Sequence, residues 1–278
     1  MTEAADNSIL RVRRLSKAYA TRGVLRRRGN VVHAVRDVDL DVTPRKIVAV
    51  VGESGSGKST LARCIVRLEI CDEGQIWFRD TEISALKGRE LHPFRRQMQL
   101  ILQDSAGALN PRFTALEAIE EPLLIEGKRS ADERRHRVLK LIEQVGLPGD
   151  AVDRRVTRFS GGQRQRLAIA RALILRPQFL ILDEALSGLD LSTQAQVLNL
   201  LIELQAEYGL TYLFISHDLT LISQVADEIM VMHAGEMVER GKPADILARP
   251  QHPQTVALVN AARALDGQAR SFAATGAR

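Results

Sequence analysis

The chain has 278 residues, 45% hydrophobic, 26% charged and only 4% aromatic, with a formal charge of +5. That length suits one large domain or two lobes and needs no staples, and the two cysteines, Cys64 and Cys71, are too few for a disulfide framework or a structural metal site. Few aromatics speak against a base-stacking nucleic-acid site, and Arg clusters such as Arg26-Arg27-Arg28 read as solvated faces.

The acidic start, Met1-Thr2-Glu3-Ala4-Ala5-Asp6, lacks the pattern of a signal peptide. No apolar run reaches the roughly 18 residues of a membrane helix, so any membrane link is expected through another chain. Residues 9–42 alternate, as in Val35-Arg36-Asp37-Val38-Asp39-Leu40, and with Gln75-Ile76-Trp77-Phe78 predict a small antiparallel sheet. The Arg- and Gly-rich stretch 21–31 reads as a loop between two of its strands. Three runs are apolar at every position: Ile47-Val48-Ala49-Val50-Val51, Phe179-Leu180-Ile181-Leu182 and Tyr212-Leu213-Phe214-Ile215. Such runs suit strands of a parallel sheet covered on both faces. Residues from about 114 to 158 read as an inserted helical lobe, with Val138, Leu141, Ile142 and Val145 at helical spacing. From Ala261 onward the composition turns small and polar, as in a frayed tail.

Each apolar run ends in polar residues, and ligands of open α/β sheets bind beyond the carboxyl ends of the strands. After the first run comes Gly52-Glu53-Ser54-Gly55-Ser56-Gly57-Lys58-Ser59-Thr60, which fits the pattern G-x-x-x-x-G-K-[ST]. Its glycines allow a tight loop whose N–H groups converge on phosphate oxygens, backed by the positive end of the next helix. Lys58 is expected to reach the β- and γ-phosphates and the Ser59 hydroxyl to ligand Mg²⁺. Asp183, after the second run, stands where P-loop NTPases keep their Mg²⁺-holding carboxylate, and Glu184 is placed to orient water. Ser160-Gly161-Gly162-Gln163 precedes a helical run that Pro177 ends. Ser160 and Gln163 form a reciprocal capping pattern, and the glycines expose N–H groups at a second positive helix end. One nucleotide does not need two cradles on one chain, so two copies packed head to tail are expected to share them.

These residues resemble the nucleotide-binding subunits of ABC transporters, whose signature is Leu-Ser-Gly-Gly-Gln; Phe159 replaces the leucine here. The resemblance runs over residues 8–260. It implies that Gln103 is the Q-loop glutamine, Ser187-Gly188-Leu189-Asp190 the D-loop, His217 the switch histidine and Tyr19 the aromatic that stacks on adenine. Residues His33-Ala34-Val35, Leu109-Asn110-Pro111-Arg112 and Pro250-Gln251-His252-Pro253-Gln254-Thr255 look like the oligopeptide/dipeptide importer ATPases, whose relatives serve nickel and other small solutes. Three departures stand out: Ala185-Leu186 where Pro-Thr is usual, Ser105 where Pro often stands, and Leu102 where Phe is frequent.

The expected fold is therefore an α/β P-loop core, a mostly parallel sheet flanked by helices, with an antiparallel β lobe and an inserted helical lobe. Residues 9–104 and 161–250 would form the core with the β lobe, about 105–160 the helical lobe, and 261–278 a flexible tail. The resemblance implies ATP and Mg²⁺ as ligands, with Glu184, His217 and Gln103 catalytic and Ser59, Gln103 and Asp183 around the metal. Ser160, Gly161, Gly162 and Gln163 would touch the ATP of a second ATPase subunit, with Asp190 beside them. Further expected partners are two transmembrane permease subunits and an extracytoplasmic solute-binding protein, at the cytoplasmic face of the cell membrane. No nucleic acid is expected: a soluble ABC ATPase acting on DNA or the ribosome usually carries coiled coils or fused halves, and this chain has neither. A GTPase-like switch is disfavoured by the lack of an Asn-Lys-x-Asp segment.

Overall fold

Alternating residues pair as strands at the start of the chain. In the computed structural model, which describes residues 7–20, 31–103 and 105–275 (side chains of 105, 106 and 265–275 excepted), β1 (Leu10–Ala20) lies antiparallel to β2 (Val31–Val42). Segment 21–30, most of the loop expected between them, falls outside the described residues. The chain then forms β3 (Ile47–Val51) and α1 (Lys58–Ile65), and returns through β4 (Glu73–Phe78) and β5 (Thr81–Glu82). The antiparallel sheet has the order β2-β1-β4-β5. Leu10, Val12, Leu15, Val38, Leu40, Ile76 and Phe78 are all buried, one face of a period-two pattern.

The middle of the chain is helical. It carries α2 (His92–Gln97), β6 (Met98–Ile101), α3 (Ser105–Ala108), α4 (Ala115–Glu126) and α5 (Ala131–Gln144). Then follow α6 (Gly161–Leu173), β7 (Phe179–Asp183) and α7 (Leu191–Tyr208). Thr114 and Glu117 box the start of α4, and the Ser130 side chain caps α5. The segment read as helical to 158 is α4 and α5 followed by two 3-10 turns, Gly149–Asp153 and Val156–Arg158. Gly146, at φ 69°, and Pro148 turn the chain out of α5, which is why the α-helix stops there. Helices α4 and α6 pack together, burying Ala115, Ala118, Ile119 and Leu123 on one and Leu167, Ala170 and Leu173 on the other. Ion pairs tie α4 to both neighbours, Glu121 to Arg171 of α6 at 2.8 Å and Glu120 to Arg134 of α5 at 3.0 Å. Partly exposed pairs of this kind contribute about 0–1 kcal/mol each, whereas one buried leucine contributes about 1.5–3 kcal/mol. Burial holds the lobe.

The chain ends with β8 (Thr211–Ser216), α8 (Leu219–Ser223), β9 (Glu228–His233), β10 (Glu236–Gly241), α9 (Pro243–Ala248) and α10 (Pro253–Thr275). Strand β3 runs parallel to β8 and β9, and β10 returns antiparallel along β9 through Ala234-Gly235, both at positive φ. Strands β6 and β7 pair in parallel. Every residue of β3 and β7 is buried, as their unbroken apolar runs require. Before α10, the amides of Gln251 and His252 donate to the Glu239 carboxylate at 2.9 and 2.8 Å, fastening this segment to β10. The backbone stays helical to Thr275, through the stretch whose small residues suggest fraying. Many of those small residues are alanines, the best helix formers. By its contacts the chain divides at Leu86/Lys87 and at Thr211/Tyr212 into two compact units.

Cys64, on α1, is fully buried, and burial pushes its thiol up to about 12, with Cys71 adding to the shift. A thiol whose folded pKa exceeds its unfolded value leaves stability unchanged below the unfolded value, about 8.5, and lowers it as pH rises beyond. At pH 8, iodoacetamide should therefore label the half-buried Cys71 and spare Cys64 until the protein is denatured. Peptide mass spectrometry reads this directly; equal native labelling of both would contradict the burial.

Candidate nucleotide site

The loop after β3 is pressed against its neighbours. A Cβ on Gly57, at φ 106°, would lie 1.9 Å from the Ala34 carbonyl oxygen, and one on Gly52 would lie 2.1 Å from that of Met232. Only glycine lets the backbone pass so close to β2 and β9. The Gly235 amide also donates to the Ser56 carbonyl at 3.0 Å, and the Arg36 amide to that of Gly235 at 2.8 Å. Lys58, only 4% exposed, donates from Nζ to the carbonyls of Gly52 and Glu53, both at 2.8 Å. No side chain caps the amino end of α1, where Gly57 is the N-cap, so its first amides suit an anion. Glu53, Ser54 and Gly55 are exposed on the loop, while Ser59 and Thr60 are half-buried on the helix.

Two more expected residues belong to the same unit. Parallel pairing sets Val51 beside Ser216, so Gly52 and the exposed His217 leave β3 and β8 at the same end. Tyr19 lies near the end of β1 and is 38% exposed. Its hydroxyl bonds to the Glu69 carboxylate, and Lys17 Nζ sits 5.5 Å from its ring centroid. Burial and the Glu69 hydrogen bond both raise the phenol pKa. Lys17 is itself held by Asp72 at 2.9 Å. The ring has a fixed place at the sheet's end.

The remaining expected residues belong to the other unit. Ile101 of β6 pairs with Leu182 of β7, so the exposed Gln103 and the pair Asp183-Glu184 leave those strands at the same end. Asp183 is 3% exposed and ends the strand. Glu184 lies beyond it at φ 49°, a left-handed conformation costing about 1–2 kcal/mol for a residue with a Cβ. The backbone thus leaves the extended strand conformation between Asp183 and Glu184. Ser187 donates twice to the Glu184 carbonyl, from its amide at 3.0 Å and its hydroxyl at 2.7 Å. The Gln194 side chain donates to the Leu186 carbonyl at 3.1 Å. Ala185 and Leu186, the departures noted above, are 5% and 6% exposed and pack inward. Asp190 caps α7, accepting from the Thr193 amide at 2.9 Å and hydroxyl at 2.7 Å, and those bonds hold its carboxyl below the usual range.

The Ser-Gly-Gly-Gln segment starts α6 with the reciprocal cap its spacing predicts. Gln163 N–H donates to Ser160 Oγ at 3.3 Å, and Ser160 N–H to Gln163 Oε1 at 3.0 Å. A Cβ on Gly162 would lie 2.3 Å from Thr193 Cγ2, and one on Gly161 would lie 3.7 Å from Leu189 Cδ2. The glycines let this helix end sit against the start of α7. Phe159 is buried, with the Arg154 guanidinium 5.1 Å from its ring centroid, so phenylalanine fills the leucine's place. Gln194, Gly235 and Met232 carry no local motif, and only the folded contacts single them out.

The glycine contacts set a graded expectation. Gly57→Ala forces both a backbone collision and a positive φ, a loss of about 2–4 kcal/mol. Gly55→Ala, at φ 83° with open space around it, meets only the conformational cost of about 1–2 kcal/mol. Denaturant melts of both variants check the order, and equal stability would contradict the close approach at Ala34.

The ABC transporter family model matches residues 35–187. Over 266 residues the chain is 44% identical to a Brucella ovis protein named as a peptide import ATP-binding protein, covering 96% of this chain and 82% of that one. It is 43% identical over 254 residues to the dipeptide transport ATP-binding protein DppF of Haemophilus influenzae, with 89% and 76% covered. Among solved structures it resembles the ATP-binding cassette MJ0796, a dimer in a post-hydrolysis state bound to ADP and Pi. There the TM-score is 0.74 and the identity 30%, over 84% of this chain and 98% of that one. A family match over more than half the chain, with relatives along nearly all of it, decides the matter: this chain belongs to the ABC transporter family, as an ATP-binding, ATP-hydrolysing cassette.

Proposed function

We propose that the chain energises a peptide-type ABC importer from the cytoplasmic face of the cell membrane. It would work as one half of a head-to-tail ATPase dimer, below two transmembrane permease subunits served by an extracytoplasmic solute-binding protein. One observation carries the dimer: a single chain holds two glycine-flanked helix ends suited to anions, at Gly57-Lys58 and at Ser160-Gly161, and one nucleotide uses one. The peptide cargo is supported by the relatives, among them the glutathione import ATP-binding protein GsiA of Pectobacterium atrosepticum. This chain is 43% identical to it and spans 42% of its length. Among the described residues no helix is long and apolar enough to cross a membrane, which supports separate permease chains.

ATP fits the loop on the evidence of its glycines, whose place a Cβ would fill. For Mg²⁺ the available donors are hard oxygens: the Ser59 hydroxyl, the Asp183 carboxylate and the Gln103 amide oxygen. Among the described residues no group of three His, Cys, Asp or Glu would hold a metal unaided, as suits an ion that leans on phosphate oxygens. Bound Mg²⁺ supplies positive charge to the phosphates; the rest falls to the protein. Lys58 and the amides from Gly52 to Thr60 hold the β- and γ-phosphates, and Tyr19 stacks on the adenine. Glu184 orients the attacking water and accepts its proton, His217 contacts the γ-phosphate side, and Asp190 lies along the dimer interface. The ATPase domain would span 8–260, with a helical lobe at about 105–160 reporting to the permeases through Gln103, and 261–278 as a tail.

Glu184→Gln should bind ATP normally and lose about 10²–10⁴-fold in turnover, roughly 3–5 kcal/mol of barrier. Near-normal hydrolysis by that variant would sink the base assignment. The complex itself is tested by isolating the tagged protein from native membranes. Two permeases, a second ATPase and a solute-binding protein are expected; ribosomal or DNA-repair partners alone would overturn the transport reading.

A further inference from the structure

We propose that Gln194 and Ser187 are positioning residues for Glu184, holding the turn after β7 in the shape that aims its carboxylate. The inference rests on the reading of Glu184 as the base.

A residue with a Cβ stays at φ 49° only where its surroundings over-determine it. In many relatives by resemblance a proline follows this glutamate and stiffens the turn through its ring. Here Ala185 and Leu186 follow, which bury apolar surface but lock no dihedral. The restraint is supplied from outside the turn, at two carbonyls. Ser187 closes the first, giving both its amide and its hydroxyl to the Glu184 carbonyl at 3.0 and 2.7 Å. Gln194 closes the second, reaching eight residues back to the Leu186 carbonyl at 3.1 Å. Gln194 is itself seated in the 18-residue α7, its amide donating to the Asp190 carbonyl at 2.8 Å. The turn is thereby fastened at both ends, once to itself and once to a long helix. Positioning errors of about 1 Å in a reacting group cost about 10²-fold in rate. A loosened turn therefore shows in the chemical step rather than in nucleotide affinity.

The test uses the full-length protein with the membrane partners that isolate with it. Gln194→Leu keeps the side chain's bulk and removes the donor: kcat should fall about tenfold or more, with the KM for ATP within about twofold. Gln194→Lys, which restores an N–H donor of sufficient reach, should recover kcat to within about threefold of the parent. In a Glu184→Gln background Gln194→Leu should cause no further loss. Ser187→Ala, which deletes the shorter bond without touching the helix, should give the same split between kcat and KM on a smaller scale. It serves as the reading should Gln194→Leu fail to melt cooperatively. Equal losses in the Leu and Lys variants, or a rise in KM alone, would overturn the positioning role. Normal turnover by Glu184→Gln would remove the base assignment and the inference with it. An inactive Glu184→Gln beside a normal Gln194→Leu would remove the inference alone.

Discussion

The backbone between Gly52 and Gly57 runs so close to two strands that no side chain fits between them. The carbonyl oxygens of Ala34 and Met232 stand where Cβ atoms at Gly57 and Gly52 would be, and Gly235 ties Ser56 to the same hairpin turn. Much else depends on that approach. It brings β2 and β9 to the loop that α1 follows, and lets Lys58 lie back over Gly52 and Glu53. The buried β3 below supplies the rigid floor. A loop whose amides must converge on phosphate oxygens has few acceptable shapes, and here the surrounding backbone enforces one.

Charges play a smaller part than their number suggests. The chain carries 39 Lys and Arg and 34 Asp and Glu, yet among the described residues most ion pairs are partly exposed and individually weak. The carboxylates that matter structurally accept backbone amides instead. Asp190 and Asp218 cap helices that begin just beyond strand ends, and Glu239 holds the two amides that lead into α10. Each satisfies donors that a helix or a turn would otherwise leave orphaned.

The sequence was most legible where one local rule decided the outcome. Unbroken apolar runs became β3, β7 and β8, alternation became β1 and β2, and the spacing of Ser160 and Gln163 became a reciprocal cap. Short strands were harder. Met98–Ile101 has only four residues, and the apolar centre of β9, Ile229–Met232, is flanked by Glu228 and His233. The lobe's end was over-read as helix because Val145 keeps the spacing, while Gly146 and Pro148 impose the exit. Least legible was the turn after Asp183. Ala185-Leu186 could be recognised as a departure, but its restraints come from Ser187 and from Gln194, eight residues beyond Leu186, and no periodicity or motif links those positions.

Where Gly162 meets Thr193, the start of α6 and the start of α7 touch with no room for a methyl group between them. Asp190 caps the very turn that holds Thr193, and Ser160 caps the turn that holds Gly162. The two capped helix starts thus meet at one close contact. The contact between Ser160's helix start and Asp190's runs through Gly162 and Thr193, outside the buried apolar faces of α6 and α7. Two loops that look separate along the chain would then answer as one moving part.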